Sequence, residues 1–478
     1  MDYGALSLIS PLITIVLALV TKEVTLALFF GILSGLMIMT GGNIGASLSG
    51  TLDSLLNVFK DAGNVKIFIF NMFMGAFVVL IQASGGMEGA IEYLTIKTRT
   101  IKTRRMAQAL AYVIGMLIFI DGYLSILLSG IVTRPIIDRF KVSREMLSYI
   151  SDSVSAPINA LIPLNSWGAM LMGLIGAQIT AGVISGNPST LLIQSLPFEF
   201  YCILAVVSVG FFILTGKHFG PMKVAENRVL TTGEIYREGA NPIVSKDASG
   251  TPMKEGITPS MWNMLIPLIT LISTIVAVLL STGQGNILRG DGTSAILWGV
   301  ILALIVAAVL YTNLRNIFTM KDFMTYTYKG MSGMLPLIIL LVFAFANGKI
   351  VSALGAGKFL AHLVSQGLPG FLCAAMVFVL GALMSFSTGT SWGTFAIMMP
   401  IAIPMAVSLD ANVVLTIGAV ISGGVFGNHC SPVADTVILA SMAAATDHYD
   451  HVSTQMPYAI TCAILATGMY VIAGLVMQ

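Results

Sequence analysis

Between Gly423 and Tyr458 a strongly apolar run of chain is interrupted by Asn428, His429, Cys430, Ser431, Pro432 and Asp435. Pro432 removes a backbone donor and obstructs the preceding turn, so a helix through this stretch must break. In hydrocarbon such a break is stable only where protein or water covers it. Half-helix ends that face a cavity are how transporters hold ions and substrates. A second break is written at Tyr149 to Pro157, where Asp152 stands among Ser151, Ser153 and Ser155. A proline kink in a packed helix is the competing reading for both.

Sodium needs several hard oxygen ligands, and a carboxylate with hydroxyls and freed carbonyls supplies them. Asp152 with Ser153 and Ser155 is one such set, and Asp435 with Asn428, Ser431 and Thr436 is another. Both are expected to hold Na+ and to face each other across one central cavity. An ionisable group at the bilayer centre costs about 2.5–3.5 kcal/mol, which marks these acids as functional. Two further polar turns interrupt apolar segments: Asp121-Gly122-Tyr123, and Ser387-Thr388-Gly389-Thr390-Ser391-Trp392. With Asn165 and His429 they form the expected substrate-binding set, their hydroxyls and amides suiting a carboxylate or zwitterion. His429 can also relay protons near neutral pH; a histidine bonded to a loop carbonyl is the equal alternative. Cys430 reads as a small buried residue. The run Asp447-His448-Tyr449-Asp450-His451 resembles a metal cluster, yet its place after the last broken helix favours a helix cap or gate over zinc. Trp167 and Trp392 each sit in a Ser-Trp-Gly triplet, read as packing.

These residues need a membrane-embedded frame. Only 10% of the 478 residues are charged, 56% are hydrophobic, and the mean hydropathy is +0.91. That composition belongs to a polytopic helical membrane protein. A net charge of +2 gives no reason to expect nucleic acid. The four cysteines are far apart in apolar segments, so neither a disulfide frame nor a paired-cysteine metal site is written here. The N-terminus carries an acid and no base before its first apolar run, against a cleaved signal peptide.

Apolar segments fall at roughly 5–21, 24–40, 66–84, 106–133, 145–185 and 194–216, then 261–281, 293–312, 332–349, 368–406, 411–445 and 456–477. The order repeats: two plain helices, an amphipathic link, another helix, two broken segments and a closing helix. The division predicted is a first repeat over 1–216, a cytoplasmic linker over 217–259 and a second repeat over 260–478. Basic residues cluster at Lys97 to Arg105 and again at Arg134 to Arg144. By the positive-inside rule both loops are cytoplasmic, so 106–133 must be a re-entrant hairpin. Treating 368–406 likewise leaves ten crossings, five per half, and an odd number inverts the second half. This map puts 19 of the 24 lysines and arginines inside and 5 outside.

The stretch Gly423 to Tyr458 also resembles the C-terminal signature of the NhaC-type sodium/proton antiporter family, part of a wider ion transporter superfamily. Its core reads Phe426-Gly427-Asn428-His429-Cys430-Ser431-Pro432, then Asp435-Thr436, and its tail runs from Asp447 through Gln455 to Ala459. The resemblance extends to Tyr149 through Pro157, to Arg134-Pro135, to Ser143-Arg144-Glu145 and to Ser387 through Gly393. Two acids of the family pattern are replaced, by Gly122 and Asn428. The resemblance implies sodium and protons as coupling ions, and relatives that carry organic acids or amino acids.

The expectation is therefore an all-α polytopic membrane protein of two inverted repeats, each with about five transmembrane helices, a re-entrant hairpin and a broken helix. It is a sodium-coupled secondary transporter moving Na+ or H+ with or against a small amino acid or carboxylate. A simple Na+/H+ antiporter is the alternative. Its setting is the lipid bilayer of a prokaryotic cell membrane, and a homodimer is compatible with it. No nucleotide-binding loop is present in the sequence, which argues against ATP drive. A channel is disfavoured by acids set within sealed broken helices. A membrane hydrolase using His429 and Cys430 is disfavoured because helix neighbours cannot face each other as base and nucleophile.

Overall fold

A computed structural model describes residues 3–21, 23–97, 101–242, 251–287, 290–356, 359 and 369–477. Lys22, Arg99, Lys246, Arg289 and Lys358, which enter the charge tally, lie outside the described residues. The first half contains α1 (Ile9–Thr21), α2 (Val24–Met39), α3 (Ile44–Val58), α4 (Ala62–Ala83), α5 (Gly86–Lys97), α6 (Arg104–Leu117), α7 (Gly122–Arg139), α8 (Arg144–Leu161), α9 (Ser166–Thr180), α10 (Pro188–Ser195) and α11 (Phe200–Thr215). The helix α12 (Gly220–Thr231) lies in the linker. The second half contains α13 (Trp262–Thr282), α14 (Gly292–Ala308), α15 (Met320–Gly333), α16 (Leu335–Leu354), α17 (Cys373–Thr388), α18 (Ser391–Ser408), α19 (Val413–Cys430), α20 (Asp435–Ala444) and α21 (His448–Val476).

Ten of the described helices are long and apolar enough to cross a membrane, or eleven counting the bent pair α8 and α9 as one span. Those ten are not the ten segments predicted. The 16-residue α2 falls short of the length, while the hairpin arms qualify by it: α17 with the short turn Gly370–Leu372 before it, 19 residues in all, and α18 with 18. At 1.5 Å per residue, 16 residues reach about 24 Å, less than the roughly 30 Å hydrocarbon core. Length therefore does not distinguish a hairpin arm from a span here. The outer faces carry leucine, valine and isoleucine in the open, such as Leu214, Ile464 and Val476. That is a surface built for lipid.

The repeated order of elements is visible in the packing. Helix α2 packs on α16 as α14 packs on α4, and α9 reaches the hairpin arm α18 as α20 reaches α7. The halves are thus interleaved, and the second piece of each broken helix meets the hairpin of the other half. Small residues allow the closest approaches. A side chain at Gly75 of α4 would meet the carbonyl of Gly330 of α15 at 2.4 Å. The first hairpin is antiparallel by its own bonds: the Ser125 hydroxyl donates to the Gly115 carbonyl, and that of Ser129 to the Ala111 carbonyl. The second hairpin turns at Gly389, whose φ of +70° suits glycine.

The linker packs against the ends of the helices that carry the polar residues. Glu226 of α12 accepts hydrogen bonds from Arg104 and from the Ser143 backbone N–H. Arg228 donates to Glu145 at 2.7 Å, and Arg237 donates to Asp450 at 2.9 Å.

Candidate functional site

Four helices with polar first turns begin around one cavity of about 490 Å³, α7, α9, α18 and α20, while α2 and α16 begin at its apolar wall. A helix start leaves backbone N–H groups without intrahelical partners and carries the positive end of the macrodipole. Each of the four gives first-turn residues to the lining: Gly122 and Tyr123, Ser166 and Trp167, Ser391 and Trp392, Asp435 and Thr436. Three of these starts are written in the sequence by a capping side chain, while α20 follows Ala434 and has none. The Leu124 N–H donates to Asp121, the Trp167 and Gly168 N–H groups to Asn165, and the Gly393 N–H to Thr390. The opposite wall is apolar, from Val24, Pro336, Leu337 and Leu340.

The charge in the cavity is one-sided. Asp121 and Asp435 line it, and its described lining includes no lysine, arginine or histidine. Tyr123 donates its hydroxyl to Asp435 Oδ2 at 2.5 Å, while the Thr436 N–H donates to Oδ1 at 2.8 Å. The indoles of Trp167 and Trp392 meet with centroids 5.3 Å apart, so the paired Ser-Trp-Gly triplets form one aromatic wall of the cavity.

The structure divides the residues predicted for this site. Asp121, Tyr123, Thr390, Ser391, Trp392, Asn428, Asp435 and Thr436 line the cavity. Others are turned to bracing. Thr436 Oγ1 donates to Asn428 Oδ1 at 2.6 Å, and Asn428 Nδ2 donates to the Gly389 carbonyl at 3.2 Å. The Asn428 side chain therefore ties the α19–α20 break to the hairpin tip. Ser431 accepts from the Val433 N–H within the same break. Ser387 and Thr388 donate back to the Leu383 and Met384 carbonyls of their own helix and do not line the cavity. Asn165 is fully buried and donates to the carbonyls of Phe119, Asn159 and Ile162, sealing the first break.

The expectation that Asp152 and Asp435 share one cavity is corrected by the geometry. Asp152 lies inside the continuous part of α8, whose break comes only at 162–165. It is fully buried and is not part of the cavity wall. The neighbouring hydroxyls do not turn to it: Ser155 donates to Ser125 and to the Ser151 carbonyl. Asp152 Oδ2 instead accepts from Gln455 Nε2 at 2.5 Å and lies 3.8 Å from His451 Nε2. His429 is buried, with its Nδ1 3.1 Å from the Tyr201 hydroxyl.

His451 and Gln455 were not among the predicted site residues. Their signal was present: positions four apart on a helix share a face, and both stand in the tail quoted above. The rest of the acidic–histidine run caps and ties. Asp447 accepts from the Tyr449 and Asp450 N–H groups. His448 bridges Ser441 and the Pro432 carbonyl, across the second break. Among the described residues, no group of three or more histidine, cysteine or acidic side chains is placed to hold a metal ion.

The Na+/H+ antiporter family model matches residues 164–475. The chain belongs to that family. It is 32% identical to an uncharacterized protein of Haemophilus influenzae over 98% of this chain and 90% of that one. Over shorter regions it is similar to a malate-2H(+)/Na(+)-lactate antiporter of Bacillus subtilis, 27% identical across 37% of this chain and 42% of the relative. It is likewise similar to an arginine/ornithine antiporter of Halobacterium salinarum, 28% identical across 46% and 43%. The fold resembles that of the Alcanivorax borkumensis YdaH transporter, with a TM-score of 0.57 at 16% identity over 89% of this chain and 88% of that one. The NhaC-type resemblance and the all-helical transporter fold are both supported by these relationships.

Proposed function

We propose that this protein is a sodium-coupled secondary transporter that moves a small amino acid or carboxylate through the cavity bounded by α7, α9, α18 and α20. The carrying observation is the convergence of four helix starts on a space of about 490 Å³ that also holds two carboxylates. Small-molecule sites span roughly 300–1,000 Å³, far more than a bare cation fills. Helix starts suit a carboxylate group, and Asp435 with Asp121 suits Na+ or an ammonium. The named relatives include exchangers of organic acids and of amino acids. In this reading Asp435 and Asp121 supply charged oxygens to Na+, and Asn428, Ser431 and Thr436 hold the break that presents them. Thr390, Ser391 and Trp392 contact the organic substrate. The two repeats span 1–216 and 260–478, joined by the linker 217–259, within the cell membrane of a prokaryote, as a monomer or homodimer.

A simple Na+/H+ antiporter without organic substrate is the second reading, favoured by the two acids that flank Tyr123. Uptake into proteoliposomes separates the two. A panel of radiolabelled amino acids and carboxylates is offered with and without an inward sodium gradient. Sodium-dependent accumulation of one class supports the proposal. Sodium-driven proton movement with no accumulated organic compound selects the second reading.

A further inference from the structure

Beneath the cavity lies a second polar centre that the proposed transport path does not use. Asp152 of α8, His429 of α19, and His451 and Gln455 of α21 are each at most 1% exposed. Asp152 Oδ1, His429 Nε2, both ring nitrogens of His451 and Gln455 Oε1 have no hydrogen-bond partner. Leaving so many buried polar atoms unpaired is costly unless a charge is shared among them. The atoms that face Asp152 Oδ2 are nitrogens, Gln455 Nε2 and His451 Nε2. Sodium takes hard oxygens, so this donor set is a poor sodium site. It is a good place for a proton.

Resting on the transporter reading above, we propose that Asp152 and His451 form the proton site of the transport cycle, separate from the sodium and substrate cavity, with Gln455 as the positioning residue that couples the two. The pair shares one proton: on His451 Nε2 its charge compensates the Asp152 carboxylate 3.8 Å away, and on the Asp152 carboxyl it leaves both groups neutral. When the proton leaves, a lone buried carboxylate remains, held by Gln455 alone. The other titratable groups around the pair are few. His429 and Cys430 approach from α19, and Tyr201 of α11 meets His429. At the surface end of α21, Asp450 is paired with Arg237. Arg134 of α7 and Arg144 of α8 spend their guanidinium groups on the Ala443 and Ala445 carbonyls, with Arg144 also paired to Asp138. On α8 the nearest is Tyr149, bonded to Ser208.

The link to the cavity is short and continuous. Gln455 Nε2 donates both to Asp152 and, at 2.7 Å, to the backbone carbonyl of His429. The next residue back, Asn428, lines the cavity and holds Thr436 beside Asp435. Ala156, one turn or about 6 Å along α8 from Asp152, is also in the cavity wall. A change of charge at Asp152 therefore pulls on the end of α19 through one amide.

A hydrophobic carbodiimide tests this on the whole wild-type protein in proteoliposomes. It reacts with a protonated carboxyl, whose oxygen bonds to the carbodiimide carbon while its proton passes to nitrogen, and mass spectrometry locates the adduct. The Asp152 adduct should increase as pH falls and should be unchanged by added sodium. Sodium protection of Asp152, or no adduct there at any pH while other carboxyls react, overturns the proton site. Protection of Asp435 by sodium is read separately; its absence counts against the sodium cavity and leaves the Asp152 result standing. In His451→Gln the unpaired carboxylate should take the proton itself, raising the adduct near neutral pH about tenfold. An unaltered pH profile in that variant removes His451 from the site. The wild-type pH and sodium series decides the Asp152 assignment even where the variant fails to fold.

Discussion

The two helix breaks occupy corresponding places in the two halves but treat their polar groups in opposite ways. At the first, between α8 and α9, Asn165 donates to three carbonyls and accepts from two first-turn N–H groups of α9. Its polar capacity is spent inside the protein. At the second, between α19 and α20, Asn428 and His448 do the bracing, and Asp435 is left at the cavity with Tyr123 as its partner. One break is closed by a neutral amide and the other presents a charge. A shared architecture thus yields one break whose polar groups are spent inside the protein and one that leaves a carboxylate at the cavity wall.

The sharpest way to break that comparison is Asp435→Asn. It keeps the shape but makes the bonds to Tyr123 and Thr436 neutral. Charged hydrogen bonds contribute about 1.5–3 kcal/mol each, so a loss near 3 kcal/mol, about a hundredfold in sodium-driven uptake, is expected. The variant should insert and elute as a single species on size exclusion. Wild-type uptake with unaltered sodium dependence would transfer the ion to Asp121.

Asn165→Ala should do the reverse. It removes a helix cap worth about 1 kcal/mol and leaves buried carbonyls unpaired at about 1–3 kcal/mol each. The expected outcome is a lower melting temperature in detergent by several degrees. Sodium affinity per folded molecule should stay at the wild-type value. A variant of normal stability with weakened substrate binding would make Asn165 a contact residue after all.

Thr390→Val sharpens the comparison at the hairpin tip. The hydroxyl caps α18 through the Gly393 N–H at 3.4 Å and lies in the cavity wall. Loss of a cap and a weak contact amounts to about 1 kcal/mol, or roughly fivefold in substrate KM, with the sodium dependence little affected. Ser387→Ala is the control, because its hydroxyl is used within its own helix.

What the sequence made legible, and what it hid, follows the same division. Most helices, the hairpin turns and the break at Pro432 were readable because apolar length, Pro432, Gly389 and the capping residues act locally; the break expected at Tyr149 to Pro157 falls instead at 162–165, because α8 runs on through Pro157. Asp435 and Asp121 were readable because a carboxylate between apolar runs has few uses. Asp152 was placed in the wrong company because its partner lies about 300 residues away on α21, and no local spacing connects them. The serines beside it looked like ligands, yet in a helix a buried hydroxyl most easily donates to the carbonyl one turn back, as Ser155 does. Ser387 and Thr388 misled for the same reason.

The smallest effect expected belongs to the linker. Asp447, at the start of α21, accepts from the Asn241 N–H of the linker at 2.7 Å as well as from the first turn of α21. Burial works to raise its pKa, but the N–H groups of Asn241, Asp450 and Tyr449 outweigh it and hold the carboxyl below its ordinary value. A carboxyl with a lower pKa when docked than when free stabilises the docked state above its free value, and that contribution disappears as pH falls through the docked one. The linker should therefore stay docked at neutral pH and loosen only below about pH 4. Asp447→Asn retains an equally good cap while removing the charge. Hydrogen exchange at Asn241 should rise on acidification in the wild type and show a smaller rise in the variant. The group is close to the surface, so the difference should also shrink in high salt. Equal acid sensitivity in both proteins would assign the docking to the Arg237–Asp450 pair instead.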